Sequence, residues 1–166
     1  ATFDSRWLEE TIALAGSMVE LFWDEGAGVF YDTGVDHETL LVRPRDIFDN
    51  AQPCGGSIAS DLLLRLAVAT GDQGYAEKGA KPLMGLRELM ERAPAGTGHW
   101  LAALDFHVSS PKEIAIAGPK EDPATQSLMD TVFGRYLPNK VVVGGEDPPI
   151  PPVVEDLPIP PLSKGC

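Results

Sequence analysis

The residues best suited to chemistry in this chain lie between Tyr31 and Ser57. Arg43, Arg45, Asp46, Asp49 and Asn50 fall within eight residues, with Asp32 a short way upstream. Paired carboxylates beside an arginine are what proton transfer at a carbon next to a carbonyl requires, and they equally suit hydrogen bonding to vicinal hydroxyls. Pro53-Cys54-Gly55-Gly56 then forms a turn that only small residues follow closely, and Ser57 is the expected N-cap of the helix after it. Two cations and two carboxylates held against a helix N-terminus can read a polar ligand. The same residues also make a salt-bridged connector, and structural ion pairs are commoner than sites.

Other chemistry-bearing groups are sparser. Asp36-His37-Glu38 sets a histidine between two carboxylates, an arrangement that raises the proton affinity of an imidazole or holds a divalent ion. No second His or Cys stands at ligand spacing, so a solvated loop tip is expected and neither a metal nor a cofactor is assigned. Cys54 and Cys166 cannot make a disulfide framework and no C-x-x-C occurs, which points to a reducing, cytoplasmic setting. Gly118-Pro119 ends an apolar run, but a lone Gly-Pro turn is no phosphate-binding motif and reads as packing.

These groups must be positioned by elements legible in the pattern. Leu8, Ile12, Ala15, Met18, Val19 and Phe22 have helical spacing after a cap at Asp4 or Ser5. Val29-Phe30-Tyr31 and Leu40 to Arg43 are expected to pair as a β-hairpin, residues 29–43, closed at Arg43-Pro44. Ile58, Leu62, Leu63, Leu66 and Ala67 mark the next helix, stopped at Gly71. Tyr75 to Met90 gives a second helix packed back on it, with a kink or late start at Pro82. His99 to Val108 is a shorter helix with Trp100, Leu101, Leu104 and Val108 inward. From Pro111 the pattern changes: Glu113 to Ala117 and Lys140 to Val143 are strands around a helix whose buried face is Leu128, Met129, Val132, Phe133 and Tyr136, a right-handed βαβ unit. Pro148 to Cys166 holds seven of the chain's fifteen prolines and is expected to be a Pro-rich tail that cannot nucleate a helix.

The 166 residues thus divide into a helical segment (1–108), a βαβ unit (109–147) and the tail (148–166). With 25 acidic against 13 basic residues the net charge is -12. That balance argues against nucleic acid and anionic membrane surfaces as partners. No window reaches the roughly 18 apolar residues of a membrane span.

Several stretches resemble, almost literally, the C-terminal region of the large thioredoxin-domain-containing proteins of the YyaL and spermatogenesis-associated type. They are Gly28-Val29-Phe30-Tyr31-Asp32-Thr33, Leu41-Val42-Arg43-Pro44-Arg45-Asp46 with Asp49-Asn50-Ala51 and Pro53, Leu101-Ala102-Ala103-Leu104-Asp105-Phe106, and Tyr136-Leu137-Pro138-Asn139-Lys140-Val141. The resemblance spans about residues 5 to 147. Those proteins are similar in their second half to N-acylglucosamine 2-epimerases, so it implies a mainly α fold: part of an (α/α) toroid of helical hairpins, six-hairpin-glycosidase-like, with a short β-hairpin and a C-terminal βαβ unit. It further implies a carbohydrate-type cavity with a sugar or polyol ligand, and, if there is catalysis, an isomerase- or glycosidase-like reaction. On that reading Asp32, Arg43, Asp46 and Asp49 are the catalytic candidates, and Tyr31, Arg45, Cys54, Ser57 and Trp100 the ligand contacts. The alternative is a non-catalytic structural or protein-interaction module with a salt-bridged loop.

This chain departs from the family at Pro53-Cys54-Gly55-Gly56-Ser57, where Pro-Ser-Gly-Asn-Ser is typical, losing a hydroxyl and an amide. The tail does not follow the family, and the residues from Ala1 on are not expected to include a thioredoxin-like half, so redox activity is not carried over to them. Four or five helices cannot close a toroid of about a dozen. Uncovered faces near Trp7, Phe22 and Trp23 are therefore expected to meet the upstream part of the protein, or another copy.

Overall fold

The computed structural model describes residues 4–38 and 42–146. Helix α1 (Ser5–Phe22) starts where the Asp4 carboxylate accepts from the Arg6 amide. Its Leu8, Ile12, Met18, Val19 and Phe22 pack with buried Ala15 onto Trp23, Phe30, Ala59, Leu63 and Leu66, as the spacing predicts. Trp7 and Leu14, on the neighbouring face, are exposed. Trp23, by contrast, is buried, its ring 4.8 Å from that of Phe30.

That pair identifies the hairpin. Strand β1 (Trp23–Asp24) follows α1 without a loop and pairs antiparallel with β2 (Val29–Phe30), Trp23 opposite Phe30. The expected hairpin over residues 29–43 is therefore corrected: β2 takes its partner from the residues before it. Leu40 and Leu41 lie outside the described residues, and Val42 and Arg43 are not strand. Among the described residues, one backbone bond crosses there, from Asp32 N to Pro44 O (3.0 Å). Burial decides the outcome, since Trp23 and Phe30 bring two large apolar faces together whereas Val42 is 80% exposed.

Helices α2 (Gly55–Thr70) and α3 (Gln73–Gly85) form the expected αα-hairpin, turned by Gly71 in the left-handed conformation (φ 74°) with Asp72 capping α3. They approach so closely that a Cβ on Gly79 would lie 2.9 Å from Leu64 Cγ and 3.0 Å from Ser60 O. Pro82 is buried inside α3, and the break falls four residues later at Leu86, after which α4 (Arg87–Arg92) begins. Helix α5 (Gly98–Val108) lies across the hairpin and buries Trp100, Ala103 and Phe106 against Leu64, Leu83, Leu86 and Met90. Its inward face is rotated from the expected one: Leu101 and Leu104 flank the core, and Val108 is 71% exposed.

Strands β3 (Lys112–Ala117) and β4 (Lys140–Gly145) are parallel, Lys112 opposite Lys140, joined through α6 (Pro123–Phe133). Gly118 (φ 153°) passes so close to Thr125 that a side chain there would collide with its hydroxyl, which makes this glycine a packing residue as read. The unit is tied to α5 by Val141, which packs on the core, and by Asn139 Nδ2 donating to Asp105 Oδ2 at 2.7 Å. Its outer helix departs from expectation. Leu128 and Phe133 are exposed because a sheet of two strands is too narrow to cover the apolar face of a helix, and Tyr136, expected on that face, lies beyond the end of α6 and is 91% exposed. The Pro-rich tail lies outside the described residues. Among the described residues no helix is long and apolar enough to cross a membrane.

Candidate functional site

Among the described residues from Asp32 to Cys54 there is no helix or strand, yet several of the polar groups are tied down. Asp49 is the centre. Its Oδ1 accepts from Cys54 N (3.0 Å) and Ser57 Oγ (2.7 Å) at the start of α2, and its Oδ2 accepts from His99 N (2.8 Å) and Trp100 N (3.3 Å) at the start of α5. One carboxylate thus caps two helices, and both N-terminal dipoles favour its negative charge. Burial raises its proton affinity, but the four hydrogen bonds outweigh that and hold the pKa below the usual aspartate value. Ser57, expected as the N-cap, is inside the first turn and fully buried. Cys54 is the N-cap residue, offers no side-chain cap, and leaves that work to Asp49.

Arg43 is committed through one nitrogen, while its buried Nε has no hydrogen-bond partner among the described residues. Its guanidinium lies 4.4 Å over the Tyr31 ring, and Nη2 donates to the carbonyl oxygens of Thr33 and Leu21. That single nitrogen therefore joins the loop to the last turn of α1, where carbonyls lack helical partners. Asp32 Oδ2 accepts from Asp46 N at 2.6 Å, and Asp46 Oδ1 accepts from Phe48 N at 3.0 Å, a local turn. Asp32 and Asp46 remain exposed. Arg45 is half-buried and makes no side-chain hydrogen bond or ion pair among the described residues. Trp100, 1% exposed, donates Nε1 to Ile47 O at 3.1 Å, and its ring stands 3.1 Å from where a Gly56 Cβ would be.

The nine sequence candidates therefore separate into two groups. Asp49, Ser57, Cys54 and Trp100 form a packed knot between α2 and α5, with Arg43 a clamp to α1. Asp32, Asp46, Arg45 and Tyr31 keep surface that a solute can reach. Asp36, His37 and Glu38 are an exposed turn.

Two constellations escaped the sequence reading. Asp61 on α2 holds Arg65 one turn on (Nε to Oδ1 2.9 Å) and lies 4.0 Å from His99 Nε2, so His99 touches one carboxylate through its side chain and another through its amide. Near β1, Trp23 Nε1 donates to Glu25 Oε2 at 2.8 Å, and Lys78 stands 3.5 Å from the same oxygen. The indole bond first, then the lysine charge, lowers the Glu25 pKa. The spacing of Asp61 to Arg65 is a readable helix pair, but nothing in the sequence joins either to His99.

No family model matches the chain. It is similar to spermatogenesis-associated protein 20 of human and of rat, 31% identical to each over 150 residues, which is 90% of this chain and 19% of each relative. The mouse protein of the same name matches at the same identity and coverage. The chain thus spans about a fifth of the length of the curated relatives it matches.

Proposed function

We propose that the chain is the C-terminal part of a larger thioredoxin-domain-containing, epimerase-like (α/α) toroid protein, and that the loop of residues 31–57 is one wall of a carbohydrate-type cavity for a sugar or polyol. The observation that carries this reading is the double cap. The loop, which forms no strand among its described residues, is held on both flanks by Asp49 and Arg43, which preorganises Asp32, Arg45 and Asp46 at its surface. Arg43 and Asp49 act as positioning residues, and the hydroxyl-reading groups are the exposed carboxylates with Arg45. The remaining walls belong to the upstream chain, and the uncovered Trp7 and Leu14 face of α1 is where that chain docks. The buried free thiol of Cys54 suits a reducing, cytoplasmic setting.

A second reading, a non-catalytic structural or interaction module, is favoured by one observation: the hydrogen bonds of Arg43 and Asp49 go to backbone and Ser57 groups of the chain itself. Melting curves with aldoses, ketoses and N-acetylhexosamines separate the two, because a ligand at a hundred times its dissociation constant adds about 2.7 kcal/mol. The cavity reading expects a melting shift with at least one sugar, lost in Asp46→Asn and Arg45→Ala without loss of basal stability. Measured on the longer protein that carries the upstream walls, no response to any sugar overturns it and leaves the structural module.

A further inference from the structure

The chain leaves its last strand beside a helix that is only partly covered. The Gly118 amide donates to Gly145 O at 3.0 Å, and Ala117 lies opposite Gly145 in the parallel pair. Gly118 in turn abuts Thr125 in the first turn of α6. The end of β4 and the start of α6 are therefore neighbours, and the residues after Gly145 set out from the N-terminal end of that helix. Thr125, Met129 and Val132, buried or half-buried, form the inward stripe of α6, with Leu128 and Phe133 exposed on opposite sides of it. The Phe133 side is the one next to β4, since Lys140 Nζ, at the start of that strand, stands 5.0 Å from the ring centroid. Arg135 and Tyr136 follow shortly after and are both exposed.

The sequence that continues from β4 suits such a surface. Residues 148–166 hold seven prolines, yet they also carry Ile150, Val153, Val154, Leu157, Ile159 and Leu162, more aliphatic side chains than a merely solvated tail needs. Ile150-Pro151-Pro152-Val153 and Ile159-Pro160-Pro161-Leu162 both repeat an aliphatic residue at the spacing of three that puts side chains on one face of a polyproline II helix. Segments of this kind dock on aromatic surfaces. The reach agrees. From Thr125 to Phe133 is about 12 Å of helix, a span covered by about four residues of polyproline II at about 3.1 Å each. Counted from Glu146, that brings Ile150 to Val153 level with Phe133 and Tyr136, and carries Glu155 and Asp156 past the helix end on the side of Arg135. A groove of about 330 Å³ lined by Leu83, Met84, Leu101 and Leu104 among others is worse placed. It adjoins the opposite end of β4, where Asn139 bonds to Asp105, so the chain would have to retrace the whole strand to reach it.

We infer that residues 148–156 form an extended strap over the Phe133 side of α6, a contact of this chain with itself. A strap tethered a few residues from its seat meets it at a millimolar effective concentration. Two aromatic rings and a few aliphatic groups bind in about the same range. Docked and released forms are then comparably populated, so the strap shields the patch while adding little to stability.

The experiment uses the whole chain with Val154→Cys and Cys166→Ser and a nitroxide attached at position 154, Cys54 being buried. The nitroxide should broaden the backbone amide signals of Val132 to Tyr136 at least threefold more than those of Ala13 to Ser17 on α1. Adding Ile150→Ser and Val153→Ser, which leave the helix itself untouched, should cut that broadening at least twofold. In a mixture of isotope-labelled chain lacking the nitroxide and unlabelled chain bearing it, the α6 signals should stay sharp. Equal broadening of α1 and α6, broadening centred instead on Met84 and Leu104, or undiminished broadening in the serine variants overturns the assignment. So does broadening in the mixture, which would place a second copy on this face.

Discussion

The knot around Asp49 and the outer face of the βαβ unit are built from equally clear sequence patterns, and they end in opposite environments. At the knot, α5 crosses the α2–α3 hairpin, so Trp100, Phe106 and Leu83 are each at most 2% exposed. In the βαβ unit the helix is just as amphipathic, yet Leu128 is 55% exposed and Phe133 46%. The difference lies in what covers them. Three helices meet from different directions in the first region, while one helix lies on two strands in the second. An apolar stripe states that a face wants cover, and only the neighbouring layers decide whether this chain supplies it.

The largest expected effect breaks the first region at its polar centre. Asp49→Ala removes an acceptor from four donors at once and strips the caps from two helices, a loss of about 3 kcal/mol from two caps and their charge-assisted bonds. The melting temperature should fall by on the order of 10 °C. Acid should weaken the wild-type chain by the same route. Because folding lowers the Asp49 pKa, its contribution is complete above the unfolded aspartate value of about 3.9 and is lost as pH falls through the lower folded value. Asp49→Asn should flatten that part of the stability curve below pH about 4. An unchanged acid limb in the variant would show that other carboxylates govern it.

A smaller effect is expected at the clamp. Arg43→Lys keeps the charge but loses the guanidinium plane that stacks on Tyr31 and places Nη2 between the Thr33 and Leu21 carbonyls, which should lower stability by roughly 1 to 2 kcal/mol. Chemical denaturation reads this directly. A change below about 0.3 kcal/mol would mean that the loop is held from the α2 side alone.

How much of this was legible follows the distance over which each contact acts. The α1 stripe, the α2–α3 hairpin and the parallel strands around α6 come from periodicity and turn residues within a few positions, and they are present as read. The loop of Arg43, Asp46 and Asp49 was identifiable as special because charge and proline crowd there. Its role was not. The donors that occupy Asp49 include His99 and Trp100, fifty and fifty-one residues away, and no local pattern announces that pairing. The hairpin was misassigned for a related reason: Trp23 reads as the end of a helix, and only the Phe30 ring beside it shows that the chain has already become a strand. The apolar pattern of α6 was also legible, but its burial depended on layers that this unit does not contain.

The smallest expected effect tests the second region. Tyr136 and Leu128 carry the apolar signature of a core, and substituting either by serine in a covered face would cost roughly 1.5 to 3 kcal/mol. At their observed exposure, 91% for Tyr136 and 55% for Leu128, little apolar area is withdrawn from water, so Tyr136→Ser should change stability by less than about 0.5 kcal/mol and Leu128→Ser only slightly more. The measurement is urea denaturation at two protein concentrations differing a hundredfold. Equal midpoints at both, with near-neutral substitutions, agree with a face left open by the chain itself. A midpoint that rises with concentration and falls on Leu128→Ser would show that a second copy covers α6, and the contrast between the two regions would then hold only for the isolated chain.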